Sequence, residues 1–215
     1  MAQPLFPVFL KLAGRPCLVV GAGNVASSKI LSLVEAGAVV TVVAPHASPE
    51  IEHLANDGTI RWASRIFLPG DLDGVFLAIA ATSDPTVNLL VFLESRQRGV
   101  LCNSVDDPPH CEFYFPAVVR RGDLQFAIST AGESPALSQR LRIELDESLD
   151  DGLGDWLREI GERRREILAS EPPSEARKLR LRGLASRESW EAWQAQKSSK
   201  QECVRENSAP VLVAR

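Results

Sequence analysis

Two runs of this chain carry residue types whose spacing could do chemistry. The first is Gly21-x-Gly23-x-x-Ala26, which follows the apolar run Cys17-Leu18-Val19-Val20 and precedes a helical pattern. Strand, glycine turn and helix, in that order, is the context that holds a dinucleotide. Gly21 would make the tight turn, Gly23 would let the backbone approach a pyrophosphate, and Ala26 is small enough for close helix–strand packing. The N–H groups at the helix start would face the phosphate charge. Strand-to-helix turns that bind nothing use glycine too, so the motif alone leaves both readings open. The second run is Asn103-Ser104-Val105-Asp106-Asp107-Pro108-Pro109-His110. Two adjacent carboxylates and a histidine directly after a strand could serve as acid–base or metal-contacting groups. The same residues also spell an ordinary turn, since Asp before Pro is a turn preference.

Two weaker signals lie further on. Ser129-Thr130-Ala131-Gly132-Glu133-Ser134-Pro135 is a loop ending at a helix start, where N–H groups and hydroxyls could hold an anion; plain capping accounts for Ser134 equally well. Arg120, Arg121, Arg140 and Arg142 could bind carboxylates or could form a solvated basic face. His46 and His53 have no partners in sequence and are expected on the surface.

The elements that must position these groups follow from periodicity. Helical patterns are expected over residues 25–35, 49–56 and 85–97, and strands over 39–43, 59–63, 75–81 and 100–103. Ser48-Pro49 and Asp84-Pro85 are helix starts, with a capping residue before proline at the first helical position. Strands alternating with helices imply a parallel, doubly wound, Rossmann-like sheet. Past residue 112 the pattern changes. Phe113–Arg120 and Leu124–Ser129, separated by Arg121-Gly122-Asp123, look like an antiparallel hairpin, and a helix with Leu137, Leu141 and Leu145 on one face follows. This β-β-α piece is too small to stand alone. From residue 150 the chain is helical and charged, and Trp190 and Trp193 suggest a last helix packing through its tryptophans. The expected division is therefore residues 1–112, 113–149 and a helical 150–197, with 198–215 a loose tail.

Composition sets the outer limits. The chain has 215 residues and a formal net charge of −4, which gives no global attraction to nucleic acid or to an anionic membrane. No apolar run reaches membrane-spanning length and the first residues do not read as a signal peptide, so a cytoplasmic location is the default expectation. Cys17, Cys102, Cys111 and Cys203 form no metal spacing, and no metal site is expected. An acidic residue at the end of the second strand would hold the ribose of NAD, but Ala44, Pro45 and His46 stand there, so the choice between NAD and NADP is not legible.

Taken together, Phe6-Pro7-Val8-Phe9, Cys17–Ala26, Ala78-Ile79-Ala80-Ala81-Thr82, Cys102–Pro108, Phe113–Asp123 and Ile128–Leu137 resemble the precorrin-2 dehydrogenase family of siroheme and cobalamin biosynthesis. That family includes the N-terminal module of siroheme synthases and stand-alone precorrin-2 dehydrogenase/ferrochelatases. The resemblance implies an NAD-dependent oxidation of the tetrapyrrole precorrin-2 to sirohydrochlorin, and in some members insertion of Fe²⁺ as a further substrate. It carries the family's catalytic aspartate to Asp106 and its pocket hydroxyl to Thr130. Ser129, Arg120, Arg140 and His110 are expected around the same substrate. Cofactor contacts are expected from Gly21, Ala22, Gly23, Asn24, Val25, Ala44, Pro45 and Thr82. A homodimer formed through the middle unit is also implied. One departure is Ala131, where glycine or asparagine is commoner. Two other readings stand beside this one: a dehydrogenase of another small substrate, and a nucleotide-sensing module without chemistry.

Overall fold

The structure is a computed structural model that describes residues 4–207. Contacts within the chain divide it into two units. The first runs to Phe115 and takes in Ala131–Ser134; the second takes Pro116–Thr130 and the chain from Pro135 on.

In the first unit, short runs rich in valine, leucine and alanine become β1 (Pro16–Val20), β2 (Val39–Val43), β3 (Arg61–Ala63), β4 (Leu77–Ala80) and β5 (Leu101–Ser104). All pair in parallel, in the order β3-β2-β1-β4-β5. Such strands are apolar throughout because helices cover both sheet faces. Alternate residues show the two faces. Cys17 and Val19 of β1 join Ala26, Ile30 and Leu33 of α1 (Asn24–Glu35) and Ile51 of α2 (Pro49–Asn56). Leu18 and Val20 join Val91 and Phe92 of α3 (Pro85–Arg98) and Leu72 on the other face. Each of these large side chains stabilises the fold by about 1.5–3 kcal/mol through burial. Asp84 starts α3 by accepting the Thr86 N–H at 2.8 Å, and Gly99, at φ +68°, ends it in the left-handed form. Strand order reverses between β1 and β4, which opens a crevice at the carboxyl ends of those two strands.

The second unit holds the hairpin β6 (Ala117–Arg121) and β7 (Leu124–Ile128), then α4 (Pro135–Ser148), α5 (Leu153–Ser170), α6 (Glu175–Leu184) and α7 (Arg187–Asn207). Gly154 lets α5 start directly against the hairpin turn, since a Cβ there would lie 2.6 Å from the Arg121 carbonyl oxygen. The Arg121 guanidinium ties that turn to the end of α4, donating to Asp146 Oδ1 and to the Asp146 carbonyl, both at 2.7 Å. Trp156 meets Trp190 edge to face and Trp190 stacks on Trp193, with centroids 5.1 and 5.3 Å apart, and Trp193 Nε1 donates to Glu159 Oε2 at 2.8 Å. The expected packing of the last helix through its tryptophans is what forms.

Three features differ from the pattern-based expectation. The hairpin begins at Ala117, not at Phe113: Pro116 has no N–H to give a ladder, and Phe113 and Phe115 instead pack on the core of the first unit. The division thus falls after Phe115, and the middle and C-terminal pieces form a single unit. The helix expected to end near residue 197 continues to Asn207, with the Ser198 and Ser199 hydroxyls donating to the carbonyls of Gln194 and Ala195 at 3.0 Å rather than opening the turn. The remainder of the expected tail, residues 208–215, lies outside the described residues. Lastly, Ser48 occupies the cap position of α2, but its hydroxyl makes no capping bond; it lies 3.4 Å from the Ser27 hydroxyl.

Candidate functional site

The glycine turn separates into two different jobs. Gly21 has φ +112°, and a Cβ built on it would lie 2.3 Å from the Ala81 carbonyl oxygen. No side chain fits there, because the turn after β1 presses on the backbone that leaves β4. Gly23 has an ordinary φ of −87° and nothing within 4 Å of a built Cβ. It stands at the N-cap of α1 with no side chain capping the first turn, and Asn24 and Val25 are exposed. Free N–H groups, a positive helix end and open space over a glycine are what a pyrophosphate needs. The turn therefore has the shape a dinucleotide turn takes, with Gly21 holding the fold and Gly23 leaving the space over the helix start open. Ala22 is buried and its carbonyl accepts the Ser48 N–H at 3.0 Å, which joins this turn to the segment after β2.

That segment is also fixed from its far side. The Ala44 carbonyl accepts Trp62 Nε1 and the Pro45 carbonyl accepts the Ser64 hydroxyl, both at 3.0 Å. Those bonds fix the backbone of Ala44 and Pro45 where it leaves β2. Thr82, after β4, is clamped by a residue the sequence pattern did not single out. Asn88 Oδ1 lies 2.7 Å from the Thr82 hydroxyl and accepts the Thr82 N–H at 3.1 Å, while Asn88 Nδ2 donates to the Thr82 carbonyl at 3.0 Å. Asn88 is buried, the fourth residue of α3.

Asp106 follows β5 at the same edge of the sheet, in the left-handed conformation at φ +60°. Aspartate tolerates this region better than most residues but still at a cost of roughly 1 kcal/mol. The turn is braced from below. Asn103, buried, donates through Nδ2 to the Phe113 carbonyl at 2.8 Å, and the Cys111 thiol donates to the Ser104 carbonyl at 3.0 Å. Burial pushes the Cys111 thiol above its ordinary range, which suits a structural donor better than a nucleophile. Burial likewise pushes Cys17 and Cys102 to about 11, in line with their role as small core residues. Asp107 turns away to His110, with Oδ2 2.7 Å from Nδ1, and the imidazole rests edge-on against Phe92 with centroids 5.0 Å apart.

The structure thus brings Gly21–Val25, Ala44, Pro45, Thr82, Asp106 and His110 into one unit, at or next to the carboxyl ends of its strands. Ser129, Thr130, Arg120 and Arg140 belong to the second unit. There Ser129 is exposed and Thr130 half-buried just beyond β7, Arg120 lies on β6, and Arg140 pairs with Glu144 on α4 at 3.5 Å. The suggestion of four arginines awaiting carboxylates narrows, because Arg121 is a structural tie and Arg142 shares Asp146 with it. Among the described residues, no group of three or more His, Cys, Asp or Glu side chains could hold a metal ion.

Comparison with known proteins agrees with this geometry. A family model described as putative NAD(P)-binding matches residues 8–117, and one described as sirohaem biosynthesis protein central matches residues 121–148. The solved structure of SirC, a precorrin-2 dehydrogenase, superposes with a TM-score of 0.76 at 30% identity, covering 94% of this chain and 100% of that one. The chain belongs to the precorrin-2 dehydrogenase family. Siroheme synthase 1 of Yersinia enterocolitica is 50% identical over 149 residues, and siroheme synthase of Zymomonas mobilis is 39% identical over 173. These alignments cover 69% and 80% of this chain but 32% and 37% of the relatives, so the chain spans about a third of their length. The family's fold, a five-stranded parallel sheet with flanking helices followed by a hairpin and helices, is the one described above.

Proposed function

We propose that this chain oxidises precorrin-2 to sirohydrochlorin with NAD, as a step of siroheme or cobalamin synthesis. The observation that carries the proposal is a carboxylate on a braced left-handed turn, Asp106, at the same sheet edge as a glycine turn left open at Gly23. β4 alone separates β1 from β5, so the two turns start about 10 Å apart, the width of two strand spacings. When bound, NAD supplies the acceptor for the hydride that leaves precorrin-2. The chain's own part is to hold the pyrophosphate at the first turn of α1 and to take the proton that leaves the macrocycle on Asp106. Asn103 and the Cys111 thiol keep that carboxylate in place. Thr130, Ser129, Arg120 and Arg140 are proposed to meet the substrate's polar and carboxylate arms.

The same reading makes the active form a homodimer located in the cytoplasm. In favour of a second copy, Val119 is the one buried hydrophobic residue among the described residues of the second unit, while Leu137 and Ile143 on α4 are 39% and 46% exposed. In favour of the location, no helix among the described residues is long and apolar enough to cross a membrane. The test is anaerobic NADH formation from precorrin-2 and NAD, wild type beside Asp106→Ala. NADH from wild type and its loss in the variant is the expected result. Binding of NAD without any NADH would overturn the proposal in favour of a nucleotide sensor. Adding Fe²⁺ to the product and following the siroheme spectrum decides whether iron is a further substrate.

A further inference from the structure

The turn that carries Asp106 is anchored on both faces of the sheet. On the α1 face, Val105 packs against the core. On the α3 face the anchor is His110, whose Nδ1 lies 2.7 Å from Asp107 Oδ2. The imidazole meets the Phe92 ring of α3 with centroids 5.0 Å apart and planes inclined at 66°. Phe92 is a firm seat, since it is buried in the core of that face and the Arg96 guanidinium lies over its ring at 5.7 Å. The piece between Asp107 and His110 is stiff. The rings of Pro108 and Pro109 fix their φ, and the two prolines form one 3₁₀ turn with His110, whose N–H donates to the Asp107 carbonyl at 3.0 Å. A shift at His110 is therefore passed on to Asp107, and the Cα of Asp106 is the next one, about 3.8 Å away.

The same helix holds the neighbouring turn. Asn88 clamps Thr82 after β4, and Phe92, one helical turn further along α3, receives His110 after β5. We propose that His110 is a positioning residue for the oxidation: tied to Asp107 and seated on Phe92, it locks the Asp106 turn to the helix that also fixes the Thr82 turn. The base and the cofactor-side turn then keep one spacing. This rests on the functional reading above. The other ties of the loop do not set that spacing. Asn103 holds the Phe113 carbonyl and the Cys111 thiol holds the Ser104 carbonyl, and neither bond involves a residue of α3. Asp106 itself, at φ +60°, is in a conformation that an L side chain disfavours, so its turn must be held from outside. A histidine serves both contacts at once, offering a ring nitrogen to the carboxylate and a ring to the phenylalanine; alanine offers neither.

The test is NADH formation by wild type, His110→Ala, Phe92→Leu and the double variant, with kcat, KM for precorrin-2, NAD affinity and thermal unfolding measured on each. A base that has drifted on its turn should lower kcat by about ten- to a hundredfold in His110→Ala. KM and NAD affinity should stay within about twofold of wild type, with the protein still folded at the assay temperature. The double variant should lose no more than the worse single one, because both break the same contact. Three results overturn the proposal: a wild-type kcat in folded His110→Ala, a loss confined to KM or to NAD affinity, which would make His110 a ligand contact, and single losses that multiply in the double variant. Should His110→Ala fail to fold, His110→Gln keeps the bulk and a polar end while removing the ring, and the same split decides. Absence of NADH from wild type would overturn the functional reading and this proposal with it, whereas the three results above overturn this proposal alone.

Discussion

Adding one methyl group at Gly21 or at Gly23 should separate folding from cofactor binding. At Gly21 an alanine must adopt φ +112° and place its Cβ 2.3 Å from the Ala81 carbonyl oxygen and 2.6 Å from the carbonyl carbon. The backbone term costs about 1–3 kcal/mol. Moving the end of β4 aside adds about 1–3 kcal/mol of overpacking. The sum, about 2–6 kcal/mol, is a large share of the roughly 5–15 kcal/mol that holds a domain folded. At Gly23 the backbone is ordinary and the methyl meets nothing within 4 Å, so the fold should lose less than about 1 kcal/mol. On the proposed reading, however, the same methyl stands where the pyrophosphate approaches. Losing one or two charge-assisted hydrogen bonds at about 1.5–3 kcal/mol each weakens NAD by roughly tenfold to roughly twenty-thousandfold. Thermal unfolding and a fluorescence titration with NADH read the two effects on the same samples. A Gly21→Ala protein as stable as wild type, or a Gly23→Ala protein with wild-type affinity, would refute the division of labour.

Further outcomes follow from individual backbone and charge features. Asp106→Gly should unfold at a higher temperature than wild type, by about 1 kcal/mol of relieved left-handed strain, while forming no NADH. Ala131, at φ +52°, is the other non-glycine in this conformation among the described residues, so Ala131→Gly should also gain about 1 kcal/mol in a denaturant titration; a loss would show that the methyl itself is packed. Asp71 accepts two hydrogen bonds from Arg65, at 2.8 and 2.6 Å, and the Leu68 N–H at 2.9 Å, with the Arg65 bonds the main reason its carboxyl lies below the ordinary range. A lowered carboxylate stabilises the fold above its unfolded value and ceases to do so as pH falls through the folded one. The difference in melting temperature between wild type and Asp71→Asn should accordingly be constant above about pH 5 and close below about pH 4.

The parallel sheet was legible because its central strands are buried on both faces, so Leu18-Val19-Val20 is apolar without interruption, Val39–Val43 is broken only by Thr41, and the glycines punctuate them. The positions of Asp106 and Gly23 were legible because both follow directly from strand ends. The place of Lys29 was not, since its ammonium rests over the Phe115 ring, more than eighty residues away, and a lysine on a helix ordinarily points to water. Nor was the bracing by Asn88 and Asn103, as a single buried asparagine leaves no periodic mark. The aromatic run at Phe113–Phe115 misled for the opposite reason: it has strand composition, but Pro116 lacks the N–H and the rings have a core to fill. Polarity misled past Ser198, where hydroxyls can bond back to the helix as readily as to water.

The chain passes from one unit to the other at Phe115–Pro116, returns at Thr130–Ala131, and leaves again at Ser134–Pro135. Neither unit is therefore one uninterrupted length of polypeptide. A cut after Phe115 would strip the sheet-bearing unit of the Ala131–Ser134 loop and leave the hairpin tethered to a foreign piece. Gene rearrangements that transplant the sheet without the hairpin should fail for the same reason. The interleaving makes the two units a single heritable cassette, in keeping with alignments to the much longer relatives that cover 69% and 80% of this chain and so run past Pro116 into the second unit.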